Sequence, residues 1–340
     1  MTIEQLESKL TNEELNSIYL LHGEETFLLE SILKKIKKNF GEILLGINYI
    51  KIDEDNIKEI LPNIESPSFG YEKKLIIINN TGLLKKEGKK KNIYLNEYKE
   101  KISKYIDSNY DVINESVILV FIEKEIEKKS LYKSIEKNNG IICIFDTQNI
   151  MQIGKRIKSI CNGYKVNIDD NTIRYFIETC GTNMQELINE IRKLIECVGI
   201  NGKITKELID NLSTKQIQAV IFDLTDNLGK RNITLALETL NNLIYTKEPI
   251  QKILITLYNH FKKLYIVKLA QKHGKNILDS LKLKPNQTFL VNKYSAQSKL
   301  FKEEDLRSIV EELAKLDSDY KVGLIDLNIG LETILCNYCS

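Results

Sequence analysis

The sequence predicts an α/β domain on a mostly parallel sheet, followed by two all-helical regions. Three observations carry this. Short, nearly continuous apolar segments alternate with helical patterns over residues 1–145, as expected of strands buried on both faces of a parallel sheet. After Asp146 the pattern is entirely helical, with apolar residues three and four positions apart. The first strand runs through a glycine turn into a helix, which is the layout of a nucleotide-binding loop without the residues that hold phosphate.

The first strand is 18–21, Gly23 makes its turn, and Phe27, Leu28, Ile32, Leu33 and Ile36 give helix 27–39 one apolar face. Further strands are expected at 48–52, 74–78, 116–122 and 140–145. Helical patterns at 57–64, 93–106 and 129–137 lie between them, giving a three-layer domain over 1–145. Helices 150–162 and 169–180 follow, the second stopped by Gly181. Thr182 or Asn183 caps the next helix, whose face carries Met184, Leu187, Ile188, Ile191, Leu194 and Ile195. Thr205 caps a short helix to Leu212, closing a small helical module over 146–212.

Residues 213–340 form a second helical block. Pro249 fits a first turn, and Ile250, Ile253, Leu254, Leu257, Phe261, Leu264 and Tyr265 form one stripe. Leu306, Ile309, Val310, Leu313 and Leu316 form another, and Leu324, Leu327, Leu331, Ile334 and Leu335 a third. Short connections predict a bundle.

The glycine turn reads Tyr19-Leu-Leu-His-Gly-Glu-Glu-Thr-Phe-Leu-Leu-Glu30. A phosphate loop needs a second glycine and a Gly-Lys-Ser/Thr ending, so that amides and an ammonium surround the anion. No Gly-Lys in the chain is followed by Ser or Thr. Glu24 and Glu25 instead use up the positive end of the helix. His22, Gly23, Glu24 and Glu25 therefore read as a degenerate, non-binding phosphate loop.

No catalytic constellation is found. His22, His260 and His273 stand in unrelated contexts, and no Gly-x-Ser-x-Gly elbow occurs. Glu123 sits where a phosphate-loop enzyme carries a magnesium-binding acid, but without that loop it reads as the end of a strand. No catalytic residue, metal or cofactor is expected. Lys+Arg 49 against Asp+Glu 47 leaves a net charge of +2, so no global basic field demands nucleic acid. The lysine-dense segment 85–92 is either a solvated insertion or a phosphate contact through Lys85, Lys86, Lys89, Lys90 and Lys91. No 18-residue apolar run or signal-like N-terminus is present, and the six scattered cysteines read as reduced thiols, so a cytoplasmic protein is expected. Cys336-Asn-Tyr-Cys339 lacks the two further ligands a zinc site needs.

A second informative segment is Ile64-Glu-Ser-Pro-Ser-Phe-Gly-Tyr-Glu-Lys-Lys74. Ser66 and Pro67 break the preceding helix and leave Phe69 and Tyr71 on a glycine-containing turn. Such aromatics either pack back on their own domain or anchor in a partner's pocket.

Residues 19–28 resemble the "YLL-x-G-E-E-x-FL" opening of the delta-subunit family of the bacterial DNA polymerase III clamp loader. Ser66-Pro-Ser-Phe-Gly70 with Lys73 and Lys74 is similar to that family's "Pro-Leu-Phe…Arg" segment. Gly181-Thr-Asn-Met-Gln-Glu-Leu-Ile-Asn-Glu-Ile-Arg-Lys-Leu194 is similar to its lid helix, and Leu316-Asp-Ser-Asp-Tyr-Lys-Val-Gly323 to its C-terminal pattern. The motifs recur in order along the whole chain.

The resemblance implies an AAA+-like α/β domain (1–145), a helical lid (146–212) and a helical collar (213–340). It implies a subunit that does not hydrolyse ATP. Its partners would be the sliding clamp (beta), loader ATPase subunits, a delta-prime subunit and primed DNA, with no membrane. It places an exposed apolar pair, which holds the clamp open, at Ser68 and Phe69. Ser68 departs from the family's leucine, removing about 1.5–3 kcal/mol of potential burial. Phe69 then dominates, helped by Ile64 or Tyr71. Lys73 or Lys74 carries the family's basic position, without the bidentate geometry of arginine. The competing readings are an active AAA+-type ATPase, a stand-alone DNA-binding module and a delta-prime-like scaffold.

Overall fold

The computed structural model describes residues 1–85, 93–245 and 248–339. The chain falls into two compact units, Met1–Thr147 and Gln148–Ser340.

In the first unit five strands form one parallel sheet: β1 (Ile18–His22), β2 (Tyr49–Ile52), β3 (Lys74–Asn79), β4 (Val117–Glu123) and β5 (Ile141–Ile144), in the order β2-β3-β4-β1-β5. β1 pairs with β4 through Ile18 opposite Leu119 and with β5 through Tyr19 opposite Ile141. Every residue of β4 is buried, which is why the strand reads as one apolar run.

Helices cover both faces. Against one pack α1 (Ile3–Thr11) and α2 (Thr26–Phe40), whose Leu6, Ile32 and Ile36 meet Tyr19, Leu21 and Val120. Against the other pack α3 (Ile60–Glu65), α4 (Ile93–Ser108), α5 (Tyr110–Ser116) and α6 (Ser130–Lys137), where Ile60, Ile102 and Ile135 meet Leu20, Ile76 and Leu119. The alternation of Tyr19 and Leu21 with Ile18 and Leu20 between the two cores is the period of a strand.

Four local differences from the sequence expectation have physical reasons. α1 is set by a capping box between Thr2 and Gln5. Residues Ile57–Glu59 form a 3-10 turn, and the α-helix starts at Ile60. α5 occupies the approach to β4; the Ser116 hydroxyl donates to Val112 O at 2.6 Å, so Ser116 closes a helix instead of opening a strand. Phe145 is buried just beyond β5.

Among the described residues the second unit is built of helices, with one isolated bridge between Asn167 and Lys203: α7 (Ile150–Gly163), α8 (Asp170–Cys180), α9 (Met184–Val198), α10 (Lys206–Leu212), α11 (Ile217–Gly229), α12 (Ile233–Tyr245), α13 (Ile250–Lys272), α14 (Ile277–Leu281), α15 (Leu290–Ser298), α16 (Glu303–Lys321) and α17 (Leu327–Cys339). Asp169, Asn183 and Thr205 cap α8, α9 and α10, each accepting from a backbone N–H three residues on. α13 runs through the bundle core, with Leu257, Phe261 and Leu264 fully buried. Leu324 is exposed, not part of the third stripe, because it lies in the turn between α16 and α17; Leu327, Leu331 and Leu335 are buried as the stripe requires.

A polar chain crosses this core. Gln218 Nε2 lies 3.1 Å from His260 Nδ1, and His260 Nε2 lies 2.8 Å from Gln297 Oε1. Gln297 Nε2 donates to Phe222 O at 2.8 Å and to Asp226 Oδ1 at 2.7 Å. One tautomer satisfies every member: His260 accepts at Nδ1 and donates from Nε2. Burial pushes the His260 pKa down to about 3, against the opposing pull of the Gln297 hydrogen bond.

The sign of the linkage follows. Between the folded value and 6.5 the unfolded chain binds a proton that the folded chain does not. His260's contribution is therefore present above pH 6.5 and lost as pH falls. Below pH 6.5 the wild type should lose stability more steeply than His260→Gln, by up to about 1.4 kcal/mol per pH unit. Denaturant unfolding of both proteins at several pH values checks this; parallel curves would contradict it.

Candidate functional site

In an open parallel sheet, ligands bind beyond the carboxyl ends of the strands, where the strand order reverses. Here that place is the end of β1, between β4 and β5. The loop there is stitched to its neighbours. Gly23 N–H donates to Glu123 O at 3.2 Å, Phe145 N–H to His22 O at 2.7 Å and Glu25 N–H to Phe145 O at 2.8 Å. Gly23 has φ +137°, and a Cβ built on it would lie 2.2 Å from Phe145 O. The glycine is thus required by a close backbone approach. The amides of Gly23 and Glu25, which a phosphate loop would present to an anion, are engaged within the protein.

The surrounding charges do not favour an anion. Glu24 is exposed at the start of α2. His22 is half-buried, and burial lowers its pKa, partly offset by Asp146 and reinforced by Lys128. Glu123 does more than end its strand: its buried carboxylate accepts from the Thr81 hydroxyl at 3.0 Å and from Gly82 N–H at 2.9 Å. Burial raises its pKa, against those hydrogen bonds. Among the described residues no group of three or more His, Cys, Asp or Glu could hold a metal ion. Lys85 is exposed, whereas Lys86, Lys89, Lys90 and Lys91 lie outside the described residues.

At the opposite end of the sheet, before β3, lies the aromatic turn. Ser66 is extended (ψ 147°), as a residue before proline prefers. Tyr71 N–H donates to Ser68 O at 3.2 Å, and the Ser68 hydroxyl donates to Tyr71 O. Phe69 has φ +46° and Gly70 φ +94°, successive positive values as in a type I′ turn. The left-handed region costs a side-chain-bearing residue about 1–2 kcal/mol. Phe69 is nevertheless 72% exposed, so its ring gains no burial in return.

The other residues expected beside it take different places. Ile64 is 2% exposed, in the core beneath the turn, because it faces the sheet from α3. Lys74 is likewise buried, and its ammonium donates to Asn63 O and to Ser66 Oγ (2.7 Å). It braces the end of α3, where carbonyls are unpaired and a cation is favourable; burial lowers its pKa. Lys73 donates to Asn114 O at 2.6 Å, and Tyr71 is half-buried. Ser68 closes the turn instead of forming an apolar pair. Phe69 is the fully presented group, and the rest hold it.

Ile43, Leu44, Leu45 and Ile47, before β2, are exposed but were not singled out from the sequence. The available signal was an apolar run lying outside any helical or strand pattern.

Two family models match the chain: "DNA polymerase III, delta subunit" over residues 19–145 and "DNA polymerase III delta subunit, C-terminal domain" over 218–338, together well over half of it. The chain is 26% identical over 334 residues to DNA polymerase III subunit delta of Bacillus subtilis, covering 96% of this chain and 94% of that protein. It is 26% identical over 318 residues to the probable DNA polymerase III subunit delta of Aquifex aeolicus, covering 91% and 87%. Among solved structures, the Bacillus subtilis DNA clamp loader delta protein superposes with a TM-score of 0.73 at 23% identity, over 99% of both chains, which establishes the fold.

Two outcomes follow from the closed loop. Gly23→Ala should cost about 2 kcal/mol or more, since a methyl cannot fit against the Phe145 carbonyl and an alanine disfavours this φ; urea unfolding measures it. Magnesium and ATP at millimolar concentration should leave the melting midpoint unchanged, whereas a ligand at a hundred times its Kd would add about 2.7 kcal/mol.

Proposed function

We propose, on the premise that this chain belongs to the DNA polymerase III delta-subunit family, that it binds the ring-shaped sliding clamp through Phe69 and holds one ring interface open for loading onto primed DNA. It does so without hydrolysing ATP. The observation that carries this reading is the exposed Phe69 on a strained, internally braced turn. Backbone strain of this kind persists where the surroundings over-determine it and clusters at ligand clamps. The engaged amides around Gly23 support a subunit whose work is mechanical.

The mechanism is a population shift. A ligand moves a two-state equilibrium only by its differential affinity for the two states. A Phe69 pocket better formed in the open ring than in the closed one therefore favours opening by that difference. Ser68 supplies no apolar anchor of its own; its hydroxyl holds the turn that aims Phe69. Beyond the α/β domain we divide a lid (146–212) from a collar (213–340), and assign the collar the contacts with loader ATPase subunits and delta-prime. Nucleotide-driven motion in those neighbours would expose the first domain to the clamp. Lys85 and the lysines after it are assigned a contact with DNA in the assembled loader, which works in the cytoplasm.

Phe69→Ala should weaken clamp binding by about 2 kcal/mol or more, roughly 30-fold in Kd, as truncation of a central anchor does. Assembly with the other loader subunits should be unaffected. A pull-down and titration against the purified clamp checks this, and unchanged affinity removes Phe69 from the role. Phe69→Gly should lose the same affinity without losing stability, because glycine relieves the positive φ by about 1 kcal/mol. Thermal unfolding separates the two effects.

A further inference from the structure

Among the described residues, the segment between α2 and β2 is the longest run of exposed aliphatic side chains in the first unit, and the function above leaves it unused. Ile43 (37% exposed), Leu44 (40%), Leu45 (69%) and Ile47 (41%) stand side by side in sequence and face solvent. Their backbone is knotted. Asn48, fully buried, donates from Nδ2 to Glu42 O at 2.9 Å and accepts at Oδ1 from Leu44 N–H at 2.6 Å. Leu44 O accepts from the N–H groups of Ile47, Asn48 and Tyr49 at 3.1–3.2 Å, and Gly46 N–H donates to Tyr49 O at 2.9 Å. The fold thus holds four aliphatic side chains outward on a fixed loop. Contiguous exposed apolar groups of this kind mark interaction sites.

The position of the loop identifies its partner. β2 and β3 are parallel neighbours, with Tyr49 opposite Leu75 and Leu75 N–H donating to Asn48 O at 2.8 Å. The 43–47 loop leads into β2 and the Phe69 turn leads into β3, so both leave the sheet at the same end of strands about 4.8 Å apart. α2 and α3, which deliver them, pack on opposite faces of the sheet. A standard interface covers about 800 Å² on each partner, enough to take in both.

We infer that the 43–47 loop, led by Leu45, is a second apolar contact for the same clamp surface that receives Phe69. It takes the place of the anchor that Ser68 does not provide. The inference rests on the clamp-binding reading above. Two contacts carried by neighbouring strands also set the angle at which the domain meets the ring, which a single ring in a pocket cannot do.

The test is a titration of the full chain and its variants against purified sliding clamp, with self-association followed by sedimentation. Leu45→Ser should weaken clamp binding about fivefold or more, and Phe69→Ala by a larger factor. Ile200→Ser, at a 74% exposed aliphatic of the second unit, should change nothing. Unchanged affinity for Leu45→Ser with a weakened Phe69→Ala overturns this inference and leaves the Phe69 reading standing. Equal losses in Leu45→Ser and Ile200→Ser overturn it as general stickiness. So does a loss of self-association in Leu45→Ser with clamp affinity intact. No effect from Leu45→Ser or Phe69→Ala removes both readings.

Discussion

The backbones of Gly23 and Phe145 lie so close that no side chain fits between them. That approach ties the end of β1 to the end of β5, while the Gly23 N–H ties it to β4. The carboxyl end of a parallel sheet is where this class of fold usually offers a crevice to a ligand. Here the Gly23 and Glu25 amides are engaged by the protein's own main chain, and the helix start beside them carries Glu24 and Glu25. Hydrogen bonds that would have surrounded a phosphate instead make this end rigid. The exposed apolar residues of the Phe69 turn and of the 43–47 loop lie at the other end of the sheet.

Phe69 shows how such a protrusion is kept. An aromatic residue at positive φ with its ring in water is unfavourable on two counts, local sterics and lost burial. It persists because its neighbours leave no alternative. Pro67 holds the approach extended, Gly70 accepts the next left-handed step, and the Ser68 hydroxyl closes on Tyr71. The Lys74 ammonium then fixes the end of α3 from within. A buried cation is costly unless hydrogen-bonded, and Asn63 and Ser66 meet that condition. The knot around Asn48 follows the same logic, with polar atoms satisfied inside and aliphatic groups presented outside. Both segments exchange some stability of the isolated domain for an ordered apolar surface, and on the proposed reading that order lowers the entropic cost of binding.

The helical unit is held differently. Its core is aliphatic and aromatic along α13, but one polar chain from Gln218 through His260 to Gln297 and Asp226 passes through it. A buried network of this kind has few arrangements that satisfy every donor and acceptor. It therefore favours one register of α11, α13 and α15 over others that the leucines alone would tolerate.

The strand pattern, the helix caps at Asn183 and Thr205, and the aliphatic faces of the bundle were legible in the sequence, because each depends on residues within a few positions of one another. So were the missing Gly-Lys-Ser/Thr and the turn that carries an aromatic between Pro67 and Gly70, though not whether its ring is exposed or packs back on the domain. The helix over Tyr110–Ser116 was not legible, nor was the exposure of Leu324, since the first lacks a strong periodic face and the second turns on where a helix ends. Lys73, Lys74 and Ile64 read as surface companions of Phe69, yet two of the three are buried and both lysines hold carbonyls of the same domain. Long side chains can reach inward or outward from the same backbone position. The sequence by itself determined most of the strands and helices and the lack of a Gly-Lys-Ser/Thr ending after the first strand. Only the tertiary structure decided which side chains are exposed and which are buried, because that choice is made by contacts between separate elements, such as Lys74 with Asn63 or Gly23 with Phe145.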